Sequence, residues 1–186
     1  MRIVVSEFVT LDGVMEAPEK WVFQFADKEI DAVKLDEVLA ADALLLGAVT
    51  YQIFAESWPS RSDPDGFADK MNSMPKYVVS AASEKLAWNN SHQVNGNIAE
   101  AITKLKQGPG HMLLVAGSGV LVQALMHHDL VDEYHLLVYP LVLGKGKRLF
   151  QDGSQARLKL VKASSFRTGV VLLQYQPQSA SFISSS

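Results

Sequence analysis

The sequence predicts a single α/β domain: a mostly parallel, mixed central sheet with helices on both faces and an antiparallel hairpin at its C-terminal end. Strand-length runs of Val, Leu and Ile alternate with segments of helical period, the pattern of a sheet covered on both sides. The last two runs, 157–166 and 170–176, are joined by Arg167-Thr168-Gly169, a short Gly-containing connection suited to a hairpin. The chain has 186 residues, 48% hydrophobic and 20% charged. A domain of that size buries on the order of 70% of its unfolded surface and has room for a cleft. It is expected to span 1–178, with the Ser-rich 179–186 as a frayed tail.

Each element has its own signal. Residues 2–9 read as the first strand. A helix over about 27–40 turns Ile30, Val33, Val38 and Leu39 inward, and the apolar run 43–47 follows as a buried strand. The stretch 59–69, with two Pro, one Gly and three Asp, reads as a surface loop before a strand at 76–80. The helix over about 98–107 has Asn97 as N-cap and Glu100 three residues later, with Ile98, Ala101, Ile102 and Leu105 on one stripe; Gly108-Pro109-Gly110 stops it. A strand at 111–116 leads into a helix over about 119–128 with Val120, Leu121, Ala124 and Leu125 inward, and 133–139 is the last strand before the hairpin.

Composition excludes several classes of function. Seventeen Lys and Arg against 20 Asp and Glu, with no basic run, disfavour nucleic acid and anionic membranes as partners. No segment approaches the ~20 apolar residues of a membrane span. Glu7 comes too early for the apolar region of a secretory signal, so a cytoplasmic protein is expected. The absence of cysteine removes disulfides, thiolate metal sites and Cys nucleophiles. No metal site is expected: His127-His128 ends a helix, His92 lies in a polar loop, His111 starts a strand and His135 sits inside one.

The chemistry-bearing segments are strand ends. His111 to Leu121 is a buried strand running through Ala116-Gly117-Ser118-Gly119 into a helix, a turn in which a phosphate can meet free backbone amides at the positive end of the helix dipole. Leu44-Leu45-Leu46-Gly47-Ala48-Val49-Thr50-Tyr51 repeats the theme, with a helix able to begin near Thr50, and Val78-Val79-Ser80-Ala81-Ala82-Ser83 ends a third strand in small hydroxyl residues. Tight strand–helix packing is the alternative reading of each; three together favour a ligand at the carboxyl edge of an open sheet. The first strand ends in a Thr10-Leu11-Asp12-Gly13 turn, followed by Trp21, Phe23 and Phe25, which suit either a pocket for a planar heterocycle or an ordinary core. Lys145, Lys147 and Arg148 form a small basic cluster that reads as a solvated loop or as a contact for an anionic substrate group.

The Leu-Asp-Gly turn, the Leu-Leu-Leu-Gly-x-x-Thr-Tyr junction, the Val-Ser strand end, the Ala-Gly-Ser-Gly-Val-Leu turn and the Tyr139-Pro140-x-x-Leu143-Gly144-x-Gly146-x-x-Leu149-Phe150 segment occur here in that order. Together they resemble the dihydrofolate reductase-like superfamily, in particular the stand-alone relatives of the C-terminal reductase domain of the bacterial riboflavin-biosynthesis deaminase/reductase, over roughly 2–176. The resemblance implies a three-layer fold and hydride transfer from NADPH, with NADH admissible, to a pyrimidine, pterin or related heterocycle. The substrate of the riboflavin reductase, 5-amino-6-(5-phosphoribosylamino)uracil, is one such heterocycle. It implies that Gly47, Ala48, Val49 and Thr50 meet the cofactor pyrophosphate and that Ser80 faces the adenosine 2′-phosphate. Ala116, Gly117, Ser118, Gly119, Val120 and Leu121 would cradle phosphate and nicotinamide ribose, and Leu11 and Gly13 belong to a loop over the nicotinamide.

Substrate would sit among Trp21, Phe25, Tyr51 and Phe54, with Asp27 as the candidate catalytic acid; a solvated, dipole-complementing turn at Asp27, Glu29 and Asp31 is the other reading of that carboxylate. Family members commonly carry Arg where this chain has Ala48, so one charge-assisted phosphate contact is missing. Two alternatives stand beside the reductase: a nucleotide- or ligand-binding protein on the same fold without turnover, and a flavin-binding α/β domain. A homodimer is expected, with Val138–Val142 and Val170–Leu173 shared across a two-fold axis.

Overall fold

A computed structural model describes residues 1–80 and 86–178. Eight strands form one sheet in the order β4-β3-β2-β5-β1-β6-β8-β7. They are β1 (Arg2–Thr10), β2 (Ala43–Gly47), β3 (Lys76–Val79), β4 (Ser91–Val94), β5 (Met112–Val115), β6 (Glu133–Tyr139), β7 (Leu158–Ser165) and β8 (Val171–Pro177). β4 through β6 in that order run parallel, and β8 pairs antiparallel with both β6 and β7. The expected mixed sheet and C-terminal hairpin are therefore present. The 179–186 tail and the Ala81–Ser83 part of the third strand end lie outside the described residues.

Five helices flank the sheet: α1 (Lys28–Ala40), α2 (Ala48–Ser57), α3 (Phe67–Ser73), α4 (Ile98–Lys106) and α5 (Gly119–His127). Ile102 of α4 and Leu121, Val122 and Leu125 of α5 pack on the face that carries Ile3, Val5, Leu45, Leu113 and Val115. Val38, Tyr51 and Met71, from α1, α2 and α3, pack on the other, against Val4, Leu44, Leu46, Val78 and Leu114. β2 and β5 are buried along their whole length, which explains why they read as continuous apolar runs.

Several expectations need correction. β4, Ser-His-Gln-Val on a sheet edge, has too little apolar patterning to announce itself, and its pairing with β3 makes it a strand. α2 begins at Ala48 and α3 occupies the end of the 59–69 loop, where Asp63 accepts hydrogen bonds from the Phe67 and Ala68 amides at 2.8 and 2.6 Å. Leu39 and Val120 are exposed, and Val122 takes the inward place on α5. Val170 and Leu172 belong to a core cluster with Trp21, Ile30, Leu137 and Tyr139, so they are not available to a partner subunit. No helix among the described residues is long and apolar enough to cross a membrane.

Candidate functional site

The five helix starts divide into two kinds. Asp27 caps α1, accepting from the Glu29 amide at 2.9 Å, Asn97 caps α4, accepting from the Glu100 amide at 3.1 Å, and Asp63 serves α3. The caps of α2 and α5, Gly47 and Ser118, offer no side-chain hydrogen bond to the first-turn amides of the helices they begin. An uncapped first turn leaves amide donors for water or for an anion. Both uncapped helices start at the carboxyl ends of neighbouring strands, β2 and β5, where ligands of open α/β sheets bind.

Glycine lets the two turns touch. The Gly47 amide donates to the Gly117 carbonyl at 3.3 Å. A Cβ on Gly47 would collide with Ser118 Oγ, and one on Gly117, whose φ is +87°, would lie 2.6 Å from Thr50 Oγ1. The Gly117–Ser118 peptide is cis. A third segment closes the slot, because a Cβ on Gly119 would lie 2.9 Å from Met15 Sδ. The turn before Met15 is held from behind: Asp12 accepts from Thr10 Oγ1 at 2.5 Å and from the Gly144 amide at 2.8 Å. These bonds hold its carboxyl down at about 2. Arg148 Nε donates to the Asp12 carbonyl at 3.0 Å, and Met15 and Leu149 make backbone bonds to Lys147 and Gly13. The basic cluster and the Leu143-Gly144 motif thus scaffold the loop at 11–15.

Three predicted segments therefore converge: Leu11–Met15, Gly47–Thr50 and Ala116–Val120. Around them Leu11 (69% exposed), Val49 (64%) and Val120 (75%) offer apolar surface to solvent, as a lip for planar rings requires. Leu121 points into the core instead. Ser80, half-buried, follows β3, which lies next to β2 in the sheet. The backbone amides and small residues of this slot suit a pyrophosphate, whereas no side chain at Ala48 adds a charge. A cavity of about 500 Å³, lined by Met1, Tyr77, His92, Lys104 and Leu105 among others, lies elsewhere. It borders the carboxyl end of α4, whose dipole disfavours an anion.

The aromatic substrate candidates are not brought together. Trp21 and Phe25 pack edge-on against Tyr139 at ring-centroid distances of 5.2 and 5.6 Å. Tyr51 and Phe54 pack around Trp88, whose amide donates to the Tyr51 hydroxyl at 3.0 Å. Trp21 and Tyr51 are enclosed by these contacts, while Phe25 and Phe54 keep part of their surface open. Asp27 is buried as the α1 cap, and Asp31, one turn on, is exposed.

Sequence reasoning passed over two groups of buried charge. Glu7 on β1 is 8% exposed and accepts from the Gly117 amide at 2.7 Å. Burial, which outweighs that bond, pushes its carboxyl up to about 8. On the opposite face of β1, Ser6 donates to Glu37 Oε2 at 2.7 Å, Lys34 pairs with Glu37 and donates to Ser6, and His135 places Nδ1 2.6 Å from Glu37 and Nε2 2.8 Å from Glu133. Burial favours neutral His135, but the two carboxylates win and raise its pKa. The signals available were Glu7 inside an apolar strand and the alternate positions of Glu133 and His135 on one strand face.

The model of the RibD C-terminal domain family matches residues 2–172. The chain belongs to that family. Among curated relatives it is 33% identical to the uncharacterized protein YyaP of Bacillus subtilis over 178 residues, covering 94% of both chains, and 26% identical to YwjB of the same organism, covering 92% of this chain and 95% of that one. Among solved structures, a Shewanella sp. PV-4 protein superposes with a TM-score of 0.76 at 20% identity, covering 96% of this chain and 99% of its own. The diaminohydroxyphosphoribosylaminopyrimidine deaminase/5-amino-6-(5-phosphoribosylamino)uracil reductase of Thermotoga maritima superposes with a TM-score of 0.67 at 18% identity, over 95% of this chain and 56% of that one. These superpositions show that the chain shares its fold with those proteins.

Proposed function

We propose that this family member is an NADPH-dependent reductase, with NADH admissible, that transfers hydride to a pyrimidine, pterin or related heterocycle. Its substrate class includes 5-amino-6-(5-phosphoribosylamino)uracil of riboflavin biosynthesis. The observation that carries the reading is the pairing of the two uncapped helix starts, α2 and α5, at one edge of the sheet beneath the loop at 11–15. In this reading the amides after Gly47 and Ser118 hold the pyrophosphate, Thr50 and Gly117 set its depth, Ser80 faces the adenosine 2′-phosphate, and Leu11 to Met15 shield the nicotinamide from water. The dinucleotide supplies the hydride, and the protein orients it.

Quenching of Trp21, Trp58 and Trp88 emission by NADPH, followed by loss of NADPH absorbance with a panel of heterocycles, tests the reading. Saturable binding of neither NADPH nor NADH at millimolar concentration overturns it. A second reading, a ligand-binding protein without turnover, is favoured by the engagement of Asp27 as a buried cap and by Ala48; cofactor and heterocycle binding without turnover would select it. The proposed homodimer now draws on exposed Val142 and on Leu160 and Val161 of the edge strand β7, and light scattering that shows a monomer at every concentration overturns it.

A further inference from the structure

Glu7 is a buried carboxyl at the floor of the slot, and the reductase reading leaves it without a task. The β1–β5 pairing ends at Val5 and Val115, after which β1 continues against β6 alone. The Gly117 amide lies just past that last rung, and the Glu7 side chain takes it up at 2.7 Å in place of a strand carbonyl. On its other sides Gly117 faces Thr50 and accepts from the Gly47 amide. A continuous line of contacts thus runs from Glu7 through Gly117 to the start of α2.

We propose that Glu7 is a positioning residue of the dinucleotide site: acting through Gly117, it holds the α5 turn at the spacing from the α2 turn that lets both sets of amides reach one pyrophosphate. The inference rests on the reductase reading and adds the residue that shapes its cofactor slot. By strand alternation Glu7 lies on the face of Val5 and Val9, toward α5. The helix starts nearest it, Ala48-Val49-Thr50 and Gly119-Val120-Leu121, carry no charge. The charged groups that act on it, Lys34 and Glu37, stand on α1 at the opposite face and have opposite signs; His135 of β6 is bonded to Glu37.

An ionised Glu7 would set a negative charge beside an anion cradle. With its carboxyl pushed up to about 8, it stands neutral at pH 7 and still accepts from Gly117. A bound polyanion raises it further, so binding above that pH takes up a proton and affinity falls as pH rises through the range.

The test is titration of the full chain with NADPH from about pH 7 to about pH 9.5, read by tryptophan fluorescence, with amide hydrogen exchange at Gly117 as the cofactor-free readout. E7Q keeps an acceptor and cannot ionise; it should bind within about twofold of the parent at pH 7, protect Gly117, and lose the alkaline decline. E7L should bind about tenfold more weakly and exchange Gly117 faster. An E7Q variant with the parent's alkaline decline, or an E7L variant with parental affinity and Gly117 protection, overturns the role of Glu7 alone. A parent chain that binds neither nucleotide overturns the reductase reading, and this inference with it. Should E7L fail to fold, the E7Q pH profile and its Gly117 exchange decide.

Discussion

Glu7 is a buried residue of β1, and Glu37 of α1 packs its side chain, 7% exposed, against the opposite face of that strand, yet their carboxyls move in opposite directions. Burial opposes ionisation of both. Glu37 has Lys34 beside it and hydrogen bonds from His135, Lys34 and Ser6, which overcome burial and hold it down at about 2. Glu7 has one backbone amide and rises to about 8. Partners, not depth, decide the charge state. The face that needs a rigid α1–sheet contact keeps its charges and pairs them. The edge that faces a proposed polyanion keeps its acid neutral and its helix starts uncapped.

The comparison can be broken most severely on the paired side. Glu37→Leu takes the shared carboxylate from Lys34 and His135, leaving Lys34 only the Ser6 hydroxyl and His135 only Glu133, and about 3 kcal/mol of stability should be lost, read by urea unfolding at pH 7. On the open side, Gly117→Ala should cost about 2–4 kcal/mol, since it adds left-handed strain to a clash with Thr50, and it should abolish nucleotide quenching even where the fold survives.

The two acids also give opposite pH slopes. The native state holds the Glu7 proton that the unfolded chain releases near 4.5, so its contribution is full below that pH and is lost as pH rises through about 8. The Glu37 contribution is full above its unfolded value of 4.5 and is lost as pH falls through about 2. E7Q should therefore remove the alkaline limb of urea midpoint against pH and leave the acid limb intact. The smallest effect concerns the missing cation: Ala48→Arg should tighten NADPH by about 1 kcal/mol and steepen its salt dependence.

Much of the sheet was legible because its signal is local. Leu44, Leu45 and Leu46 are apolar without alternation because both faces of β2 are covered, and Arg167-Thr168-Gly169 joins β7 to β8 as its chemistry suggests. Asn97 caps α4 for the reason read from its spacing. β4 was missed because a four-residue edge strand derives its existence from β3. The inward Lys76, whose Nζ donates to the Asn72 and Asn89 carbonyls and sits 4.3 Å above the Trp88 ring, carried no sequence signal either, since its partners are backbone oxygens and an aromatic face. The aromatic candidates were legible as aromatic and not as a group: Trp21 and Tyr51 each found a ring partner in a different core cluster.

By itself the sequence determined the order of the elements other than β4 and α3, the small-residue turns after β2 and β5, and the ordered motifs that carry family membership, because strand period, helix caps and glycine tolerance act over a few residues. Tertiary structure decided which turns meet, that the helix starts at Gly47 and Ser118 stay uncapped while Asp27, Asp63 and Asn97 serve the others, and that Glu7 reaches Gly117 across 110 positions of chain. Those choices depend on strand order and on what surrounds a buried charge. Desolvation and pairing act through space between residues far apart in sequence, and no local pattern records them.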